Sequence, residues 1–284
     1  MGSAVAYALA TGGMRVVATL SGRSERTTRL AERADIEFLP DLRDVVHDAE
    51  VLLSIVPPEE AVSVASAVAS AATDEAARPL FVELNAIAPA TVLQIEAELA
   101  AAGLELVDGS ISGPPPWKAG TTRIYLSGPR AAEVAALPFE GVDLIVVGTR
   151  VGAASAVKMS TASVYKGTSA LLLQALRAAH ANDVLEYVLA DLSSAAPELV
   201  ARVERRLATA ATKSGRYVGE MREIAATQAA AGLTPALFEA MAEVYAALAE
   251  TELARANPED IPDDLSLRQA LAGLGSDDSK TTWS

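Results

Sequence analysis

The chain opens with Met1-Gly-Ser-Ala-Val-Ala-Tyr-Ala-Leu-Ala-Thr-Gly-Gly13, and this stretch decides its fold. Residues Ser3 to Ala10 predict a helix that ends at the pair Gly12-Gly13, because glycine is the usual residue just after a helix. The apolar run from Arg15 to Leu20 then predicts a buried strand, and a loop rich in serine and arginine follows it.

A helix, a strand and such a loop are typical of the second half of a βαβ unit that binds a dinucleotide. Gly2 matches the last glycine of the G-x-G-x-x-G fingerprint, the one that lets the helix pack closely on the sheet. The strand and the two glycines that should come before it are absent from the sequence. We expect either a start site placed at an internal methionine or a true truncation.

The pattern of apolar residues in the remainder of the chain changes once, at Gly148. From residue 15 to about 147, short apolar strands alternate with amphipathic helices, which predicts a largely parallel sheet covered on both faces. After Gly148 the strand patterns stop and long apolar helices follow. We therefore predict an α/β class: a Rossmann-like, doubly wound NADP-binding domain at 1–148 and an all-α domain for substrate binding and dimerisation at 149–284.

The individual elements follow from the same periodicities. Strands are predicted at 16–20, 36–39, 51–56, 80–84, 105–107, 123–126 and 144–147. Helices are predicted at 25–33, 42–46, 59–71, 89–101, 131–136, 152–179, 185–192, 198–211, 219–230 and 235–250. The acidic segment 257–284 is expected to be a loose tail with a short helix near Leu267–Leu271.

Composition excludes several classes of function. The chain of 284 residues is 51% hydrophobic and carries a formal charge of −14, which argues against nucleic acid or an anionic membrane as partner. There is no cysteine, and His47 and His180 are the only histidines, so we predict no metal site. No apolar run reaches the ~20 residues that span a bilayer, and no signal peptide is recognisable. A cytoplasmic protein that acts on a small molecule is the expectation.

The loop after the second strand bears on the cofactor. Sites that prefer NAD usually place an acid at this strand tip, whereas a nearby arginine accommodates the 2′-phosphate of NADP. Ser21-Gly-Arg-Ser-Glu-Arg26 places no acid at the tip and contains Arg23 and Arg26. We predict that Ser21, Arg23 and Arg26 bind NADP, with NAD less favoured. The alternative is a solvated helix start that is arginine-rich by chance.

Two further strand ends are expected to face the cofactor, because the carboxyl ends of parallel strands line the ligand crevice. Val56 and Pro57 follow one strand and would form an apolar wall. Asn85 follows the next strand and would hydrogen-bond the ribose or the nicotinamide. For the pair Pro57-Pro58, a simple end of the strand before a helix is an equally good interpretation.

The most unusual stretch is Asp108-Gly-Ser-Ile-Ser-Gly-Pro-Pro-Pro-Trp117. We predict a rigid loop rich in backbone donors, which suits the binding of a small anionic or carbonyl substrate, with Trp117 as a cover. A structural crossover between domains is the alternative.

The long helix that follows carries a lone cation, Lys158, among small and apolar residues. On a helix, Lys158 shares one face with Ser155, Thr161 and Tyr165. Such a lysine is either a snorkelling residue of a core helix or a desolvated acid/base. Lys166 is a second candidate at a rotated position.

Taken together, these motifs resemble the 6-phosphogluconate dehydrogenase-like, or β-hydroxyacid dehydrogenase, superfamily. Met1-Gly2 matches the end of its G-x-G-x-M-G motif. Asp108, Ser112 and Gly113 match its D-x-x-x-S-G-G pattern, with Pro114 in place of the last glycine. Lys158 matches the lysine of its G-x-x-G-x-x-x-x-x-K helix, with Gly152 and a displaced Gly148. The family's asparagine four residues later is Ala162 here. The segments Lys166-Gly167 and Tyr217–Met221 are similar to a less characterised bacterial branch.

The resemblance implies an NADP-dependent oxidoreductase that interconverts a small hydroxy acid, or a similar alcohol, and its carbonyl. It assigns Lys158 as the general acid/base and Ser112, Gly113, Pro114, Thr161 and Tyr165 to the substrate. Burial and the positive nicotinamide ring would lower a lysine pKa, so a neutral amine could accept the hydroxyl proton. An imine reductase, and a non-catalytic nucleotide-binding or structural protein, are the alternatives. Independently of the resemblance, the helices predicted at 152–179 and 219–230 are apolar over more than one face, which predicts a homodimer with intertwined helical domains.

Overall fold

The computed structural model describes residues 1–257, 261–262 and 264–274, and the chain divides into two compact units, Met1–Ser160 and Thr161–Ser284. The first unit contains α1 (Gly2–Thr11), β1 (Val17–Ala18), α2 (Glu25–Arg33), β2 (Glu37–Phe38), α3 (Leu42–Asp48), β3 (Val51–Ser54), α4 (Ala61–Asp74), β4 (Leu80–Glu83), α5 (Pro89–Ala101), β5 (Leu106–Ser112), β6 (Thr122–Ser127), α6 (Ala131–Ala135) and β7 (Val142–Gly148).

A long helix, α7 (Ala153–Ala181), begins in the first unit and continues in the second. The sequence pattern changes at Gly148, whereas the units divide within this helix. The second unit further contains α8 (Leu185–Ala195), α9 (Pro197–Val200), α10 (Val203–Ala211), α11 (Ser214–Ala230), α12 (Ala236–Ala249) and α13 (Leu267–Gly273). None of the helices described here is long and apolar enough to cross a membrane.

The strands of the first unit form two sheets. The larger has the order β3-β4-β5-β6-β7, in which β5 and β6 run antiparallel and the other neighbours run parallel. The smaller consists of β1 and β2 in parallel. All four residues of β4 are buried, as expected of a parallel strand covered on both faces. A Rossmann-like sheet followed by an all-α part confirms the predicted fold class.

The two sheets do not join through any described strand. In a doubly wound sheet, the place between β1 and β3 belongs to the strand that leads into the first helix. No described strand leads into α1, which begins at Gly2. The order of the remaining strands nevertheless agrees with a doubly wound sheet.

Apolar layers lie on both faces of the larger sheet because its side chains alternate. Phe81 points into a cluster with Ile95 and Leu99 of α5 and with residues of α3 and α4. Val82 points the other way, into a cluster with Val5 of α1 and with residues of α6. This alternation is what holds helices on both faces and fixes the carboxyl ends of β3, β4 and β5 side by side.

The glycine pair after α1 has the predicted role. Gly13 has a φ of +92°, a conformation that ends a helix and that side chains disfavour. Gly12 lies so close to the carbonyl oxygen of Pro138 that a Cβ could not be accommodated. The pair therefore both ends α1 and lets the helix approach the segment between α6 and β7.

Two predicted elements differ from the structure. The segment 109–112 is strand, not loop, because it pairs with 123–126 of β6. The predicted helix 198–211 is divided into α9 and α10 by Arg202, which has a φ of +52°. The short helix predicted near Leu267–Leu271 is confirmed as α13, and its Ala270 and Leu271 are buried. Residues 275–284 of the predicted tail lie outside the described residues.

Candidate functional site

A row of polar side chains crosses the middle of the larger sheet. Ser54, Glu83, Asp108 and Ser127 are successive register partners on β3, β4, β5 and β6, and all four are buried. Register partners on adjacent strands point to the same face. Buried polar groups are costly unless they are hydrogen-bonded, so a row of them in a core indicates a built network.

Asp108 is the centre of this network. Its carboxylate accepts hydrogen bonds from the Ser127 hydroxyl at 2.8 Å, and from the Ser155 amide at 3.1 Å and the Ser155 hydroxyl at 2.6 Å. The Ser127 hydroxyl in turn accepts from the Ala154 amide at 3.0 Å. Because these amides belong to the first turn of α7, Asp108 and Ser127 satisfy donors that a helix leaves open at its start.

Lys158 lies one helical turn after Ser155. Its Nζ donates a 2.7 Å hydrogen bond to the carbonyl oxygen of Ile111, near the end of β5, and the side chain is half-buried. Strand β5 therefore contacts α7 twice. Asp108 binds the first turn of the helix, and Ile111, three residues later on the strand, accepts the hydrogen bond from Lys158. This arrangement fixes the amine beside the backbone that leads into Ser112, the predicted substrate residue.

The loop after Ser112 is shaped by Gly113. Its φ is +108°, and a Cβ at this position would collide with the Thr121 carbonyl oxygen, so no other residue fits without rearrangement. The Thr122 hydroxyl donates to the Pro114 carbonyl oxygen at 2.6 Å and ties the two ends of the loop together. Ser112, Gly113 and Pro114 thus form a constrained turn next to the Lys158 amine.

Trp117 is anchored to the helices of the first unit. Its ring lies 5.4 Å from that of Tyr7 on α1, and the Arg33 guanidinium of α2 lies 4.4 Å above it. A cation over an aromatic face stabilises such a contact. The structure thus gives Trp117 a fixed place against α1 and α2, which holds the loop that carries Gly113.

Asn85 is more deeply placed than the sequence analysis implied. It is buried; its Oδ1 accepts from the Val56 amide at 2.6 Å and its Nδ2 donates to the Ser54 hydroxyl at 3.0 Å. The side chain therefore fixes the backbone of Val56 and Pro57 at the carboxyl edge of the sheet. Through this backbone, Asn85 would affect a bound cofactor by positioning Val56 and Pro57.

Glu83 is the residue that sequence reasoning missed. One carboxyl oxygen accepts the Asn85 amide at 2.7 Å, while the other is buried without a hydrogen-bond partner among the described residues. Burial is the largest cause of a pKa raised to about 8, with a smaller contribution from the charge of Asp108. Burial also raises the pKa of Asp108, against the effect of its hydrogen bonds. The sequence feature that could have indicated this residue is a carboxylate, Glu83, at the end of an apolar strand and two residues before Asn85.

Of the predicted cofactor residues, Gly2, Val56, Pro57 and Asn85 lie near the carboxyl ends of β3 and β4, whereas Ser21, Arg23 and Arg26 follow β1 of the smaller sheet. The start of α1 is close to the end of β3, since a Cβ on Gly2 would contact Ile55 at 3.8 Å. Residues 21–24 of the loop after β1, and Glu25 and Arg26 at the start of α2, are exposed. Three other arginines of this region have partners: Arg15 pairs with Glu37 and Asp48, Arg29 pairs with Glu25, and Arg33 covers Trp117.

These residues fit a dinucleotide at this edge. The first amides of a helix start form a ready site for a phosphate group, and α1 presents them beside β3. Val56 and Pro57 supply an apolar surface held in place by Asn85, and Arg23 extends from the exposed loop after β1. No group of three His, Cys, Asp or Glu that could hold a metal ion occurs among the described residues.

Thr161 and Tyr165 lie further along α7, in the second unit. The Tyr165 side chain is largely exposed and lines a cavity formed by α7, α10 and α11. Within the second unit this cavity also contains Lys166.

Two protein-family models match parts of this chain. Residues 1–139 match the NAD binding domain of 6-phosphogluconate dehydrogenase, and residues 179–248 match a domain of unknown function, DUF1932. The first unit therefore carries an NAD-binding domain of the 6-phosphogluconate dehydrogenase type. For the first unit, this match confirms the relationship that the sequence motifs indicated.

Individual solved structures are similar to this chain. The conserved protein MTH1747, described as structurally similar to 3-hydroxyacid dehydrogenases, has a TM-score of 0.64 and 28% identity, and the match covers 87% of this chain and 93% of that one. The 3-hydroxyisobutyrate dehydrogenase of Mycobacterium tuberculosis has a TM-score of 0.66 at 19% identity, over 97% and 96% of the two chains. At this identity the likeness concerns the fold.

Two other matches complete the comparison. An uncharacterized 28.5 kDa protein of Methanothermus fervidus is 26% identical over 176 residues, which are 62% of this chain and 66% of that protein. Imine reductase from Myxococcus stipitatus in complex with NADP+ has a TM-score of 0.55 at 21% identity, over 88% and 90% of the two chains. A variant of the same enzyme is in complex with NAD+.

The buried Glu83 carboxyl predicts a pH-dependent stability. Its pKa is about 8 in the folded protein and near 4.5 in the unfolded chain, so the folded state holds a proton between these values that the unfolded state has lost. The free energy of unfolding should therefore fall as the pH rises from about 5 to about 8. Glu83→Gln mimics the protonated acid and should remove this dependence.

The measurement is urea unfolding of the wild type and the variant at pH 5, 6, 7 and 8. Relative to the wild type, Glu83→Gln should gain stability steadily as the pH rises. Glu96→Gln, a substitution in α5 at a carboxyl outside the network, serves as the control and should follow the wild type. Parallel curves for all three proteins would contradict the assignment of a protonated Glu83.

Proposed function

We propose that this protein is an NADP-dependent oxidoreductase that interconverts a small hydroxy acid, or a similar alcohol, and its carbonyl compound by hydride transfer. The observation that carries the proposal is the Lys158 amine, fixed at 2.7 Å from the Ile111 carbonyl beside the turn Ser112-Gly113-Pro114. An NAD-binding domain of the dehydrogenase type in the same unit supports it. The name of the Mycobacterium tuberculosis neighbour suggests a 3-hydroxy acid.

Lys158 is the proposed general acid/base. The nicotinamide, when bound, supplies or accepts the hydride. The chain must move the proton of the substrate hydroxyl, and an amine that donates to the Ile111 carbonyl oxygen can do so from a fixed position. In the direction of oxidation the amine accepts this proton, and in the direction of reduction its protonated form donates to the carbonyl oxygen.

Ser112, Gly113 and Pro114 are the proposed substrate residues of the first unit. The turn is constrained by the Gly113 conformation and by the bond between Thr122 and Pro114. A constrained turn loses little conformational entropy when it binds a small acid. Thr161 and Tyr165 remain proposed substrate residues from the next turns of α7.

Reduction of an imine is the second candidate, because imine reductases share this fold. The two candidates differ in the group that receives the proton, which is oxygen in one and nitrogen in the other. The presence of a positioned lysine beside the substrate turn favours the alcohol. Parallel assays with 3-hydroxy acids and with a cyclic imine separate the candidates.

The proposed preference for NADP rests on the loop after β1. Arg23 lies in this exposed loop and Arg26 in the first turn of α2, while the guanidinium groups of Arg15 and Arg29 form ion pairs and that of Arg33 covers Trp117. A guanidinium suits the 2′-phosphate because it binds phosphate in a bidentate manner.

Arg23→Ala should therefore weaken NADPH binding by roughly ten- to a hundredfold and leave NADH binding nearly unchanged. The dissociation constants of both cofactors can be measured by fluorescence titration. Arg29→Ala, which removes an arginine already paired with Glu25, is the matched control and should change neither constant. Equal losses for NADPH and NADH in Arg23→Ala would exclude a 2′-phosphate contact.

Lys158→Met should lower turnover by about a hundred- to ten-thousandfold, the usual contribution of a positioned proton donor or acceptor. Methionine keeps the apolar stem, so folding and NADPH affinity should be retained. The assay monitors NADPH formation with a panel of small 3-hydroxy acids that includes 3-hydroxyisobutyrate and L-serine.

Lys158→Arg distinguishes acid/base chemistry from a structural role. Arginine keeps a cation that can donate to the Ile111 carbonyl, but it does not lose its proton near neutral pH. We expect Lys158→Arg to fold and to bind NADPH without recovering turnover. Normal turnover in either variant would show that another group moves the proton.

We also propose a homodimer formed through the helical unit. Large apolar side chains are exposed there, among them Val164 and Leu171 at a spacing of seven residues on α7, and Tyr187 on α8. Exposed apolar side chains in a stripe are typical of a helix that packs on a partner.

Analytical ultracentrifugation should therefore show a dimer at micromolar concentration. The pair of substitutions Val164→Glu and Leu171→Glu should shift the protein to a monomer. A monomeric wild type at this concentration would refute the dimer. As a control, Leu93→Glu on α5 replaces a comparably exposed apolar side chain of the first unit and should leave the dimer intact.

A further inference from the structure

An arginine lies beside the proposed substrate turn. Arg123 is the second residue of β6 and the register partner of Ser112, the last residue of β5. Register partners on adjacent strands carry their side chains on the same face of the sheet, with Cβ atoms about 5 Å apart. The Arg123 side chain therefore starts next to the first residue of the turn Ser112-Gly113-Pro114.

The face of the sheet that carries Arg123 follows from the residues before Ser112. Asp108 and Ser110 precede Ser112 at intervals of two residues, so all three side chains point to the same side. The side chains of Asp108 and Ser110 both form hydrogen bonds with the first turn of α7. Ser112 and Arg123 therefore also point to the side of the sheet on which α7 and its Lys158 lie.

The backbone of Arg123 is fixed relative to the turn. The hydroxyl of the preceding residue, Thr122, donates to the Pro114 carbonyl oxygen at 2.6 Å. The carbonyl oxygen of Thr121 lies so close to Gly113 that a Cβ there would collide with it. Because the strand and the turn are joined at these points, a group bound by the Arg123 side chain is held close to the turn.

The Arg123 guanidinium is only loosely engaged within the protein. Its Nε lies 3.8 Å from Oδ2 of Asp143, the register partner on β7, and both side chains are more than half exposed. An ion pair of this length between exposed groups contributes little to stability. A guanidinium carries several N–H donors, and no described residue forms a hydrogen bond with those of Arg123. The group can therefore bind an anion from solution.

We propose that Arg123 binds the carboxylate of the substrate and thereby selects hydroxy acids over neutral alcohols. This inference rests on the proposed function, in which Lys158 acts on the hydroxyl of the same molecule. The planar guanidinium donates two parallel hydrogen bonds to the two carboxylate oxygens. A neutral alcohol or an ester lacks the charge for this contact. Arg123 is thus the specificity-determining residue of the site.

A structural role is the other interpretation of this residue. Arg123 and Asp143 are cross-strand partners, and pairs of opposite charge stabilise a sheet. In that case, loss of either side chain has the same consequence. If Arg123 binds the substrate, Asp143→Asn leaves the guanidinium in place, and only the loss of Arg123 affects the binding of an acid.

Isothermal titration measures this binding without turnover, because NADPH and a hydroxy acid are both reduced and do not react with each other. The full chain loaded with NADPH is titrated with 3-hydroxypropanoate, 3-hydroxybutyrate and 3-hydroxyisobutyrate, and with the neutral methyl ester of each acid. At least one acid should bind in the millimolar range or tighter. Its ester should bind more weakly by roughly tenfold or more.

Arg123→Gln should weaken the binding of that acid by roughly ten- to a hundredfold and leave the binding of its ester unchanged. The side chain is exposed, so the substitution should not disturb folding. Arg123→Lys keeps the charge but not the planar fork, and it should recover the affinity only in part. Asp143→Asn is the matched control and should keep the wild-type affinity or raise it. In a turnover assay, Arg123→Gln should raise the KM for the acid more than it lowers kcat.

Four results of the titration would overturn the proposal: no binding of any of the three acids, equal affinities for an acid and its ester, an unchanged affinity in Arg123→Gln, or equal losses in Arg123→Gln and Asp143→Asn. The last of these would assign Arg123 the structural role. The outcome for the proposed function is separate. Binding that depends on Arg123 in a protein without turnover would support this site and contradict the hydride transfer. Turnover of an acid with an unchanged KM in Arg123→Gln would contradict this inference alone.

Discussion

The buried carboxylate of Asp108 is the constraint on which the first unit depends. It lies in the middle of β5 and accepts hydrogen bonds from Ser127 on β6 and from Ser155 on α7. A charge in this position is tolerated because several donors surround it, and removal of those donors would leave it unsatisfied in the core. The same bonds decide where α7 starts, and hence where Lys158 lies relative to the end of β5.

The position of Lys158, the proposed general acid/base, is therefore set by the sheet and not by a loop. The lysine is on a helix, its hydrogen-bond acceptor is on a strand, and the first turn of the helix is tied to two strands. Sites on regular elements hold their geometry more closely than sites on loops. The turn after Ser112 lies outside the helices and strands. Its backbone is nevertheless restricted by Gly113 and by the hydrogen bond from Thr122 to Pro114.

Much of the fold could be predicted from the sequence because local signals agreed with the tertiary structure. Helix α2 has the predicted bounds, since Ser24 caps its first turn, and α5 has the predicted bounds, since Pro89 occupies its first position. Gly12-Gly13 ends α1 as expected. In these places the residues that mark the end of an element in the sequence also cap or end that element in the structure.

The failures occur where the reason for a residue lies far away in the chain. Gly109 and its neighbouring serines look like a turn, but Gly109 is small because Leu84 packs against it, and the Ser110 hydroxyl donates to the Ala154 carbonyl oxygen. Those partners are distant in sequence and close only in the folded sheet. The sequence pattern did not identify Glu83 for the same reason. Its burial depends on β3, β5 and Asn85, which are adjacent to it only in the folded sheet. No feature of the neighbouring sequence indicates the left-handed backbone conformation of Arg202.

The protonated state of Glu83 has a thermodynamic consequence. At neutral pH the folded domain stores a proton on this carboxyl, and the unfolded chain cannot retain it. Unfolding therefore liberates acid, which the buffer must absorb. The heat measured in a calorimeter includes the heat of that absorption, so the apparent enthalpy of unfolding differs between Tris and phosphate although the protein undergoes the same change.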